Sequence, residues 1–275
     1  MIQILLATYN GAKYLEAQLD SLLAQTCRRW TLIAHDDGSS DYTLDILRAY
    51  QCRYPDVIEI LNDGLIFGNA CDNFIHLLTA SEAEYVMFCD QDDVWLPQKI
   101  EKTFNRMQAL ECLHSGLPVV VHTDLAVVDE SLGSIAPSMF GYQGLSKSIN
   151  GLTQILVKNS VTGCTMMVNR RAIEVSFPIS PFAVMHDWWI AANVIKHQGV
   201  VDFVDESLIQ YRQHNSNSVG AKKKSFYYLV KRIYNYLFYP EAFANVWHQA
   251  KSIEPNLNQA YFFWKKIHFT IKSLF

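Results

Sequence analysis

The chain has 275 residues, of which 50% are hydrophobic and 18% are charged, and its formal net charge is −4. This composition is typical of a globular protein with a substantial core, and the length suits one large α/β domain or two small ones. No stretch reaches the roughly 20 apolar residues of a membrane span, so any membrane contact should be peripheral.

The charge is unevenly spread along the chain. From Gly220 onward nine Lys and Arg residues face two acids, so this tail carries +7 and the remainder carries −11. The asymmetry predicts an anionic partner for the tail. Six cysteines are scattered without a CxxC pair, and the first apolar run, "IQILLA", lacks the features of a signal peptide. These features favour reduced thiols in a cytosolic protein and argue against a zinc site.

Short apolar runs alternate with helical patterns over the first 113 residues. We predict strands at 2–7, 30–34, 57–61 and 85–89, because these apolar runs are bounded by polar or turn residues. Leucines at helical spacing predict a helix after the first strand, and helices are also expected after each later strand, the fourth of them starting at Pro97. Strands that alternate with helices imply a mostly parallel, doubly wound sheet.

The second half is less regular. The segments "VVVHTDLAVVD" and "TGCTMMVN" are predicted strands, and "HDWWIAANVIKHQG" is a predicted helix that Gly199 ends. Two basic amphipathic helices are predicted in the tail, within 222–240 and 261–275. The second should present an apolar face that consists of Phe263, Ile267, Ile271 and Leu274. No linker indicates an independent second domain.

Polar clusters stand at the ends of three predicted strands: Tyr9 with Asn10, Asp36 with Asp37, and the acids of "FCDQDDVW" at 90, 92 and 93. Ligands of such sheets bind beyond the carboxyl ends of the strands, so these clusters should line one crevice. Asp90 and Asp92 at i and i+2 suit Mg²⁺ or Mn²⁺, which leave open positions for phosphate oxygens. The simpler alternative is a solvated turn in which Asp93 favours the dipole of the next helix.

Other motifs are individually weak. Asp and Ser are ordinary turn residues in "HDDGSSD", and Tyr9 could be a packing residue. Asp187 could cap a helix or act as a general base in an aromatic-walled pocket. Arg212 and His214, two residues apart at a strand end, suit a phosphate and a metal, although a surface strand explains them equally well. A single glycine after the first strand excludes the dinucleotide and P-loop fingerprints.

The order ATYNG, DDGSSD, DQDDVW, HDWW, YRQHNSNS resembles the inverting nucleotide-sugar glycosyltransferases of family 2, which have the GT-A fold. The resemblance covers roughly residues 1–220, and "DQDDVWLPQK" is most similar to the bacterial rhamnosyltransferase branch. It implies that the nucleoside is held by Ala7, Thr8, Tyr9 and Asp37. Asp90 and Asp92 match the DxD motif, whose last Asp binds the metal, and His214 matches a histidine that completes the metal site. Asp187 matches the catalytic base, although the family's "ED" is "HD" here.

The resemblance thus implies an α/β protein with a GT-A catalytic domain at 1–220. The charge and helical spacing of the remaining residues predict a basic amphipathic helical tail at 221–275. Within the domain, 1–113 would bind the nucleotide and 114–220 the acceptor. The implied reaction is a Mn²⁺- or Mg²⁺-dependent transfer with inversion, with Arg212 helping to hold the diphosphate. The expected donor is dTDP-L-rhamnose, with UDP-hexose or UDP-N-acetylhexosamine as alternatives, and the acceptor a saccharide or lipid-linked saccharide of a bacterial surface polysaccharide. The alternative to an enzyme is a catalytically silent relative that binds nucleotide sugars.

The tail has two interpretations. Its helices could pack on the catalytic domain, or they could bind an anionic bilayer, which suits basic helices rich in Tyr, Trp and Phe. The second interpretation predicts a cytoplasmic protein that is peripheral on the inner face of the plasma membrane. Nucleic acid is not an expected partner, because no RNA- or DNA-binding motif accompanies the charge.

Overall fold

The computed structural model describes residues 1–214, 220–221 and 240–272. Within these residues the strands are β1 (Ile2–Thr8), β2 (Trp30–Asp36), β3 (Ile58–Leu61), β4 (Tyr85–Asp90), β5 (Val94–Trp95), β6 (Val119–Val128), β7 (Ser134–Ala136), β8 (Met167–Asn169) and β9 (Val200–Arg212). The helices are α1 (Ala12–Leu23), α2 (Thr43–Arg53), α3 (Ala70–Ala80), α4 (Lys99–Leu113), α5 (Met139–Gln143), α6 (Leu152–Val157), α7 (Arg170–Ser176), α8 (His186–Lys196), α9 (Pro240–Ile253) and α10 (Gln259–Lys272).

The described strands form one mixed sheet in the order β3-β2-β1-β4-β8-β6-β9-β5, with β7 paired to β6. The pairs β3–β2, β2–β1 and β1–β4 are parallel, as the alternating pattern predicts. Beyond β4 the sheet is no longer all parallel. β8 runs antiparallel to both β4 and β6, and β5 runs antiparallel to β9. This half lacks a regular parallel strand–helix repeat, because β7 follows β6 directly and two short helices precede the three-residue β8, which is why its sequence pattern is irregular.

Helices cover both faces of the parallel half, which explains its continuous apolar runs. Ile4 and Leu6 of β1 face one side, in a cluster with Leu15 of α1 and Ile100 of α4. Leu5 points to the opposite side, where a second cluster includes side chains of α3, α8 and α9. The alternation follows from the two-residue period of a strand, so a buried strand has to be apolar at nearly every position.

Two boundaries in the second half differ from the predictions. Residues 163–165 form a single 3-10 turn, and only Met167–Asn169 of the segment "TGCTMMVN" is a strand. Helix α8 ends at Lys196, and Gln198, not Gly199, adopts the left-handed conformation with φ of 61°. Gly199 is required for a different reason, because a Cβ atom there would lie 2.4 Å from the carbonyl oxygen of Pro118.

The described part of the tail packs on the rest of the chain. Helix α9 contacts α6 and α8, and α10 contacts α6. On α10 the buried side chains are Phe262, Lys266 and Thr270, so the predicted apolar face is wrong by about one residue, and Ile271 is exposed. The buried Lys266 side chain donates a hydrogen bond to the carbonyl of Val157 at 2.9 Å. The first predicted tail helix, at 222–240, lies almost entirely outside the described residues.

Among the residues that the structure describes, no helix combines the length and the apolar character needed to cross a membrane.

Candidate active site

The carboxyl ends of β1, β2 and β4 meet at one edge of the sheet. Thr8 pairs with Asp36 across β1 and β2, and Ala7 pairs with Asp90 across β1 and β4. A cavity of about 630 Å³ opens there. The predicted site residues that line it are Ala7, Thr8, Tyr9, Asp37, Asp90, Asp92 and Asp187. The crevice expected from three separate strand ends is therefore a single space.

Asp37 forms one wall of this cavity. Its carboxylate is 5% exposed and accepts hydrogen bonds from the backbone N–H groups of Phe67, at 2.5 Å, and Gly68, at 2.9 Å. Asp36 turns away and accepts from the Thr8 and Ser39 hydroxyls, so it holds the turn together. Of the two acids, Asp37 is the one available to a ligand, and it also fixes the segment 62–69 against the cavity.

Tyr9 and Gln91 connect the carboxyl ends of β1 and β4. The Tyr9 N–H donates to Gln91 Oε1 at 2.9 Å, and Gln91 Nε2 donates back to the Tyr9 carbonyl at 2.8 Å. Gly11 leaves room for this glutamine, since a Cβ atom there would lie 2.1 Å from Gln91 Oε1. The Tyr9 ring itself is 58% exposed. Sequence reasoning missed Gln91, because a glutamine between two acids carries no recognisable signal.

Asp90 and Asp92 line the cavity beside Asp187. Burial, and then the charges of Asp92 and Asp187, raise the pKa of Asp90 to about 7. Asp92 Oδ2 lies 2.7 Å from His214 Nε2, and the His214 ring packs on Tyr14 with centroids 4.8 Å apart. The structure thus brings the predicted ligands Asp92 and His214 together across 122 positions of the chain.

Arg212 contacts the same loop from another direction. Its Nε donates to the carbonyl of Asp92 at 2.9 Å, and its Nη1 donates to the carbonyl of Glu130 at 2.5 Å. The guanidinium carbon lies 4.7 Å from the centroid of the Tyr14 ring. The described residues that line the cavity do not include Arg212. In this structure Arg212 therefore holds the backbone that carries Asp92.

The sequence-based interpretation of Asp93 is wrong. Asp93 is fully buried and lies in no solvated turn, and α4 begins six residues later at Lys99. Its Oδ1 accepts a hydrogen bond from the Arg212 N–H at 3.2 Å. Burial and the neighbouring acids Asp92 and Asp90 raise its pKa well above the ordinary range. Asp93 therefore lies beneath the site, where burial and the neighbouring acids disfavour its ionised form.

Lys99, the nearest cation in the sequence, does not reach the cavity. It is fully buried, and its ammonium lies 3.4 Å from the centroid of the Trp95 ring. Burial lowers its pKa to about 7. Among the described residues that line the cavity, four are carboxylates and none is Lys or Arg. Their mutual repulsion favours a bound cation at this place.

Asp187 stands in the first turn of α8 and is 7% exposed. Its carboxylate accepts from the Gly163 N–H at 2.8 Å, from the Trp188 N–H, and from Asn159 Nδ2 at 3.3 Å. Burial raises its pKa to about 6, and the three donors act in the opposite direction. A carboxyl group with this pKa can accept a proton near neutral pH, as a general base must. Sequence reasoning missed Asn159 and Gly163, because no local sequence pattern indicates that they contact Asp187.

His186 also lines the cavity, next to Asp187. It is 2% exposed, and neither ring nitrogen has a hydrogen-bond partner among the described residues. Burial lowers its pKa to about 3, so the imidazole is neutral. Its ring packs on Phe74 and Phe88. Where the family pattern has an acid, this chain places an uncharged donor and acceptor.

The donor set fits a divalent cation. Carboxylate oxygens of Asp92 and Asp90 suit Mg²⁺ and Mn²⁺, and the imidazole of His214 favours Mn²⁺ over Mg²⁺. A further carboxylate, that of Asp187 on α8, lies in the same cavity. The arrangement can bind a cation-bearing diphosphate and deprotonate a hydroxyl group nearby.

Residues 3–183 match the family described as Glycosyl transferase family 2. The "dTDP-rhamnosyl transferase RfbG" of Shigella flexneri is 29% identical over 233 residues, which are 78% of this chain and 74% of that protein. The similarity to this relative therefore covers more of the chain than the matched family region does.

Solved structures share the fold at low identity. TarS 1–349 from S. aureus in complex with UDP-GlcNAc is 18% identical with a TM-score of 0.65, covering 98% of this chain and 71% of that one. The mannosyltransferase PcManGT from Pyrobaculum calidifontis, in complex with GDP-Man and Mn²⁺, is 13% identical with a TM-score of 0.57, covering 99% and 85%. The expected GT-A fold is confirmed.

Proposed function

The chain belongs to glycosyl transferase family 2 and is a glycosyltransferase, and from this premise we propose that it transfers L-rhamnose from dTDP-L-rhamnose to a saccharide hydroxyl, with inversion. The acceptor is a free or lipid-linked saccharide of a bacterial surface polysaccharide. Similarity to a protein named as a dTDP-rhamnosyl transferase supports this donor. The observation that carries the proposal is the convergence of four carboxylates in one cavity, with no Lys or Arg among its described lining residues.

The proposed roles divide the cavity. Asp37 and the backbone of residues 7–9 hold the nucleoside, and Asp90 lies beside the diphosphate. Asp92 and His214 would hold Mn²⁺ or Mg²⁺, which neutralises charge on the leaving diphosphate when bound. Arg212 would support the diphosphate site indirectly. Its guanidinium donates to the Asp92 carbonyl and so holds the loop that carries Asp92.

Asp187 is the proposed general base. Its ionised carboxylate takes the proton of the acceptor hydroxyl as that oxygen bonds to the anomeric carbon. The bond from the anomeric carbon to the diphosphate oxygen breaks on the opposite side, and the nucleoside diphosphate leaves. The burial that raises the pKa of Asp187 to about 6 suits it to this exchange, because a stronger base accepts the proton more readily.

UDP-hexose and UDP-N-acetylhexosamine remain second candidates, since TarS with the same fold was solved with UDP-GlcNAc. A screen of sugar nucleotides for slow, metal-dependent hydrolysis tests the proposal. We expect release of the nucleoside diphosphate to be fastest with dTDP-L-rhamnose, to stop with a chelator and to fall in Asp187→Asn. Faster turnover of a UDP-sugar would replace the donor, and binding without any turnover would make the chain a silent nucleotide-sugar-binding relative.

We also propose a peripheral contact with an anionic membrane on the cytoplasmic side, where a lipid-linked acceptor would lie. Tyr261, Trp264, His268 and Ile271 form an outward stripe on α10 at helical spacing, and the Trp264 side chain is 69% exposed. A large exposed aromatic with neighbouring lysines suits the interfacial zone of a bilayer. The contact would use this outer face, because the inner face of α10 packs on the domain.

A further inference from the structure

A second cluster of metal-ligating side chains lies beside the candidate active site. His35 comes from β2, His76 from α3, and Asp63 from the segment that follows β3. Asp63 Oδ1 is 3.3 Å from His35 Nε2, and Asp63 Oδ2 is 2.6 Å from His76 Nε2. The three side chains offer ligand atoms that all lie within 4.8 Å of one another.

The orientation of His35 is fixed by Asn73. The Asn73 amide nitrogen donates to the His35 carbonyl at 3.4 Å, so its amide oxygen faces His35 Nδ1 at 2.7 Å. His35 Nδ1 is therefore the protonated nitrogen, and in a neutral ring Nε2 carries the lone pair. That lone pair points at a carboxylate oxygen inside a site where His35 is 2% exposed. Two facing acceptors repel each other unless a proton or a metal cation lies between them.

We propose that His35, Asp63 and His76 bind a zinc ion, at a site separate from the one formed by Asp92 and His214. Two imidazole nitrogens and a carboxylate oxygen are ligands that zinc accepts, with a solvent molecule in the fourth position. The His35 to Asp63 separation of 3.3 Å matches a tetrahedral edge, because Zn–N bonds of about 2.0–2.1 Å place neighbouring ligand atoms about 3.3 Å apart. The 2.6 Å between His76 Nε2 and Asp63 Oδ2 is a hydrogen-bond distance, so these two groups would have to move apart when zinc binds. The proposal does not depend on the donor proposed for the enzyme.

The surroundings have the features of a metal site. The bond from His35 Nδ1 to Asn73 is the outer contact that orients a ligating histidine. The rings of His76 and Phe67 pack on His35, with centroids 4.8 Å and 5.7 Å away. Asp63 is 36% exposed, which leaves a path for the ion from solvent. Cysteine spacing could not indicate this site, because no cysteine is in it.

The ion would hold one wall of the nucleoside pocket. Asp63 accepts from the Leu65 N–H at 3.0 Å, and two residues later Phe67 and Gly68 donate to Asp37. Ile66 and Gly68 line the cavity. Zinc at Asp63 thus anchors the segment 62–69 to β2 and α3 at its start, while Asp37 holds its end.

The test uses Co²⁺ as a spectroscopic substitute for zinc, on the full chain after removal of any histidine tag. We expect one equivalent to give the visible absorption of a tetrahedral site and one equivalent of Zn²⁺ to abolish it. His76→Gln and Asp63→Asn should lose the signal. His114→Gln, which removes an exposed histidine at the end of α4, and Asp92→Asn should keep it.

Two results would overturn the proposal: no signal in the wild type, or a signal that is lost in Asp92→Asn but kept in His76→Gln. The cluster would then be a hydrogen-bonded network with a protonated histidine. His76→Gln keeps an N–H donor for Asp63, so the fold should survive. Nitrogen-15 shifts of the wild-type imidazoles give a second readout that needs no variant. Zinc should move Nε2 of His35 and His76, and unchanged shifts would refute ligation.

Amide hydrogen exchange tests the consequence for the segment. We expect zinc to slow exchange at residues 65–68 in the wild type and not in His76→Gln. Added zinc at about 100 times its Kd should also raise Tm by about 5 to 10 °C in the wild type, but far less in that variant. Equal responses of both proteins would show that zinc acts elsewhere.

Discussion

The pH dependence of turnover follows from the position of Asp187. Burial raises the pKa of this carboxyl from 3.8 to about 6, which disfavours its ionised form by about 3 kcal/mol relative to water. Only the ionised form accepts a proton, so the rate should fall about tenfold for each pH unit below 6 and level off above it. The contribution of Asp187 to folding stability depends on pH in the opposite direction. The stability that this group contributes is present below pH 4 and is lost as the pH rises through about 6.

Two variants separate this explanation from others. Asp187→Asn should lose about 10²–10⁴-fold in rate and should lose the acid limb as well, because no titrating base remains. Asn159→Ala removes one donor to the ionised carboxylate, so its acid limb should move to higher pH. Asp205→Asn, an exposed acid paired with Lys147, is the matched control and should change neither rate nor profile.

The assay is release of nucleoside diphosphate at saturating donor and metal across the acid and neutral range. Saturation is needed because burial and nearby charges also raise the pKa of Asp90, to about 7 in the free protein. A rate independent of pH in the wild type would refute the reasoning. So would an Asp187→Asn variant that keeps the wild-type limb. If donor affinity collapsed together with the rate in that variant, Asp187 would be a binding residue.

Four further predictions test the other assignments. Asp92→Asn should cut activity steeply and weaken Mn²⁺-dependent nucleotide binding, whereas retained activity with an unchanged metal requirement would remove Asp92 from the site. Asp37→Asn leaves a backbone donor at residue 67 or 68 without an acceptor, so calorimetry should record about tenfold to a hundredfold weaker donor binding, and unchanged binding would contradict the assignment. Asp93→Asn keeps the size of a buried side chain that is not among the residues lining the cavity and should cost less than about tenfold in rate, and a loss like that of Asp92→Asn would mean that Asp93 is functional. Sedimentation with anionic vesicles should weaken in added salt and in the double variant Trp264→Glu, Ile271→Glu. It should not weaken in Leu113→Glu, which changes an exposed leucine elsewhere. Equal sedimentation of the wild type and both variants would exclude the stripe as the contact.

Removal of the whole tail is a poor test of membrane binding, because its described helices pack on the rest of the chain. Truncation after Gly220 would remove Phe262, which is 1% exposed, together with the buried Lys266. Loss of these contacts would uncover α6 and α8, so the shortened chain should aggregate whether or not the tail binds lipid. Point substitutions on the outer face of α10 avoid that ambiguity.

Local patterns in the sequence determined the parallel half of the fold and the main acids of the site. Apolar runs that end in polar turns mark buried strands, and the carboxyl ends of parallel strands meet at one edge. Asp37, Asp90 and Asp92 could therefore be assigned to one crevice before any contact was known. The ordered motifs added Asp187, which α8 brings into the same cavity.

Only the tertiary structure decided which partners those groups have. Whether Asp93 is solvated depends on Arg212, 119 positions away, and the contact between Arg212 and Asp92 spans 120 positions. The pKa of Asp187 depends on donors at 159 and 163, and the cluster of His35, Asp63 and His76 depends on β2, α3 and the segment 62–69 meeting at one place. The antiparallel β8 and the inner face of α10 are likewise products of packing. Secondary-structure patterns are local, whereas burial and hydrogen-bond partners are set by segments that are distant in the chain, and burial and partners decide the protonation state of a carboxyl group.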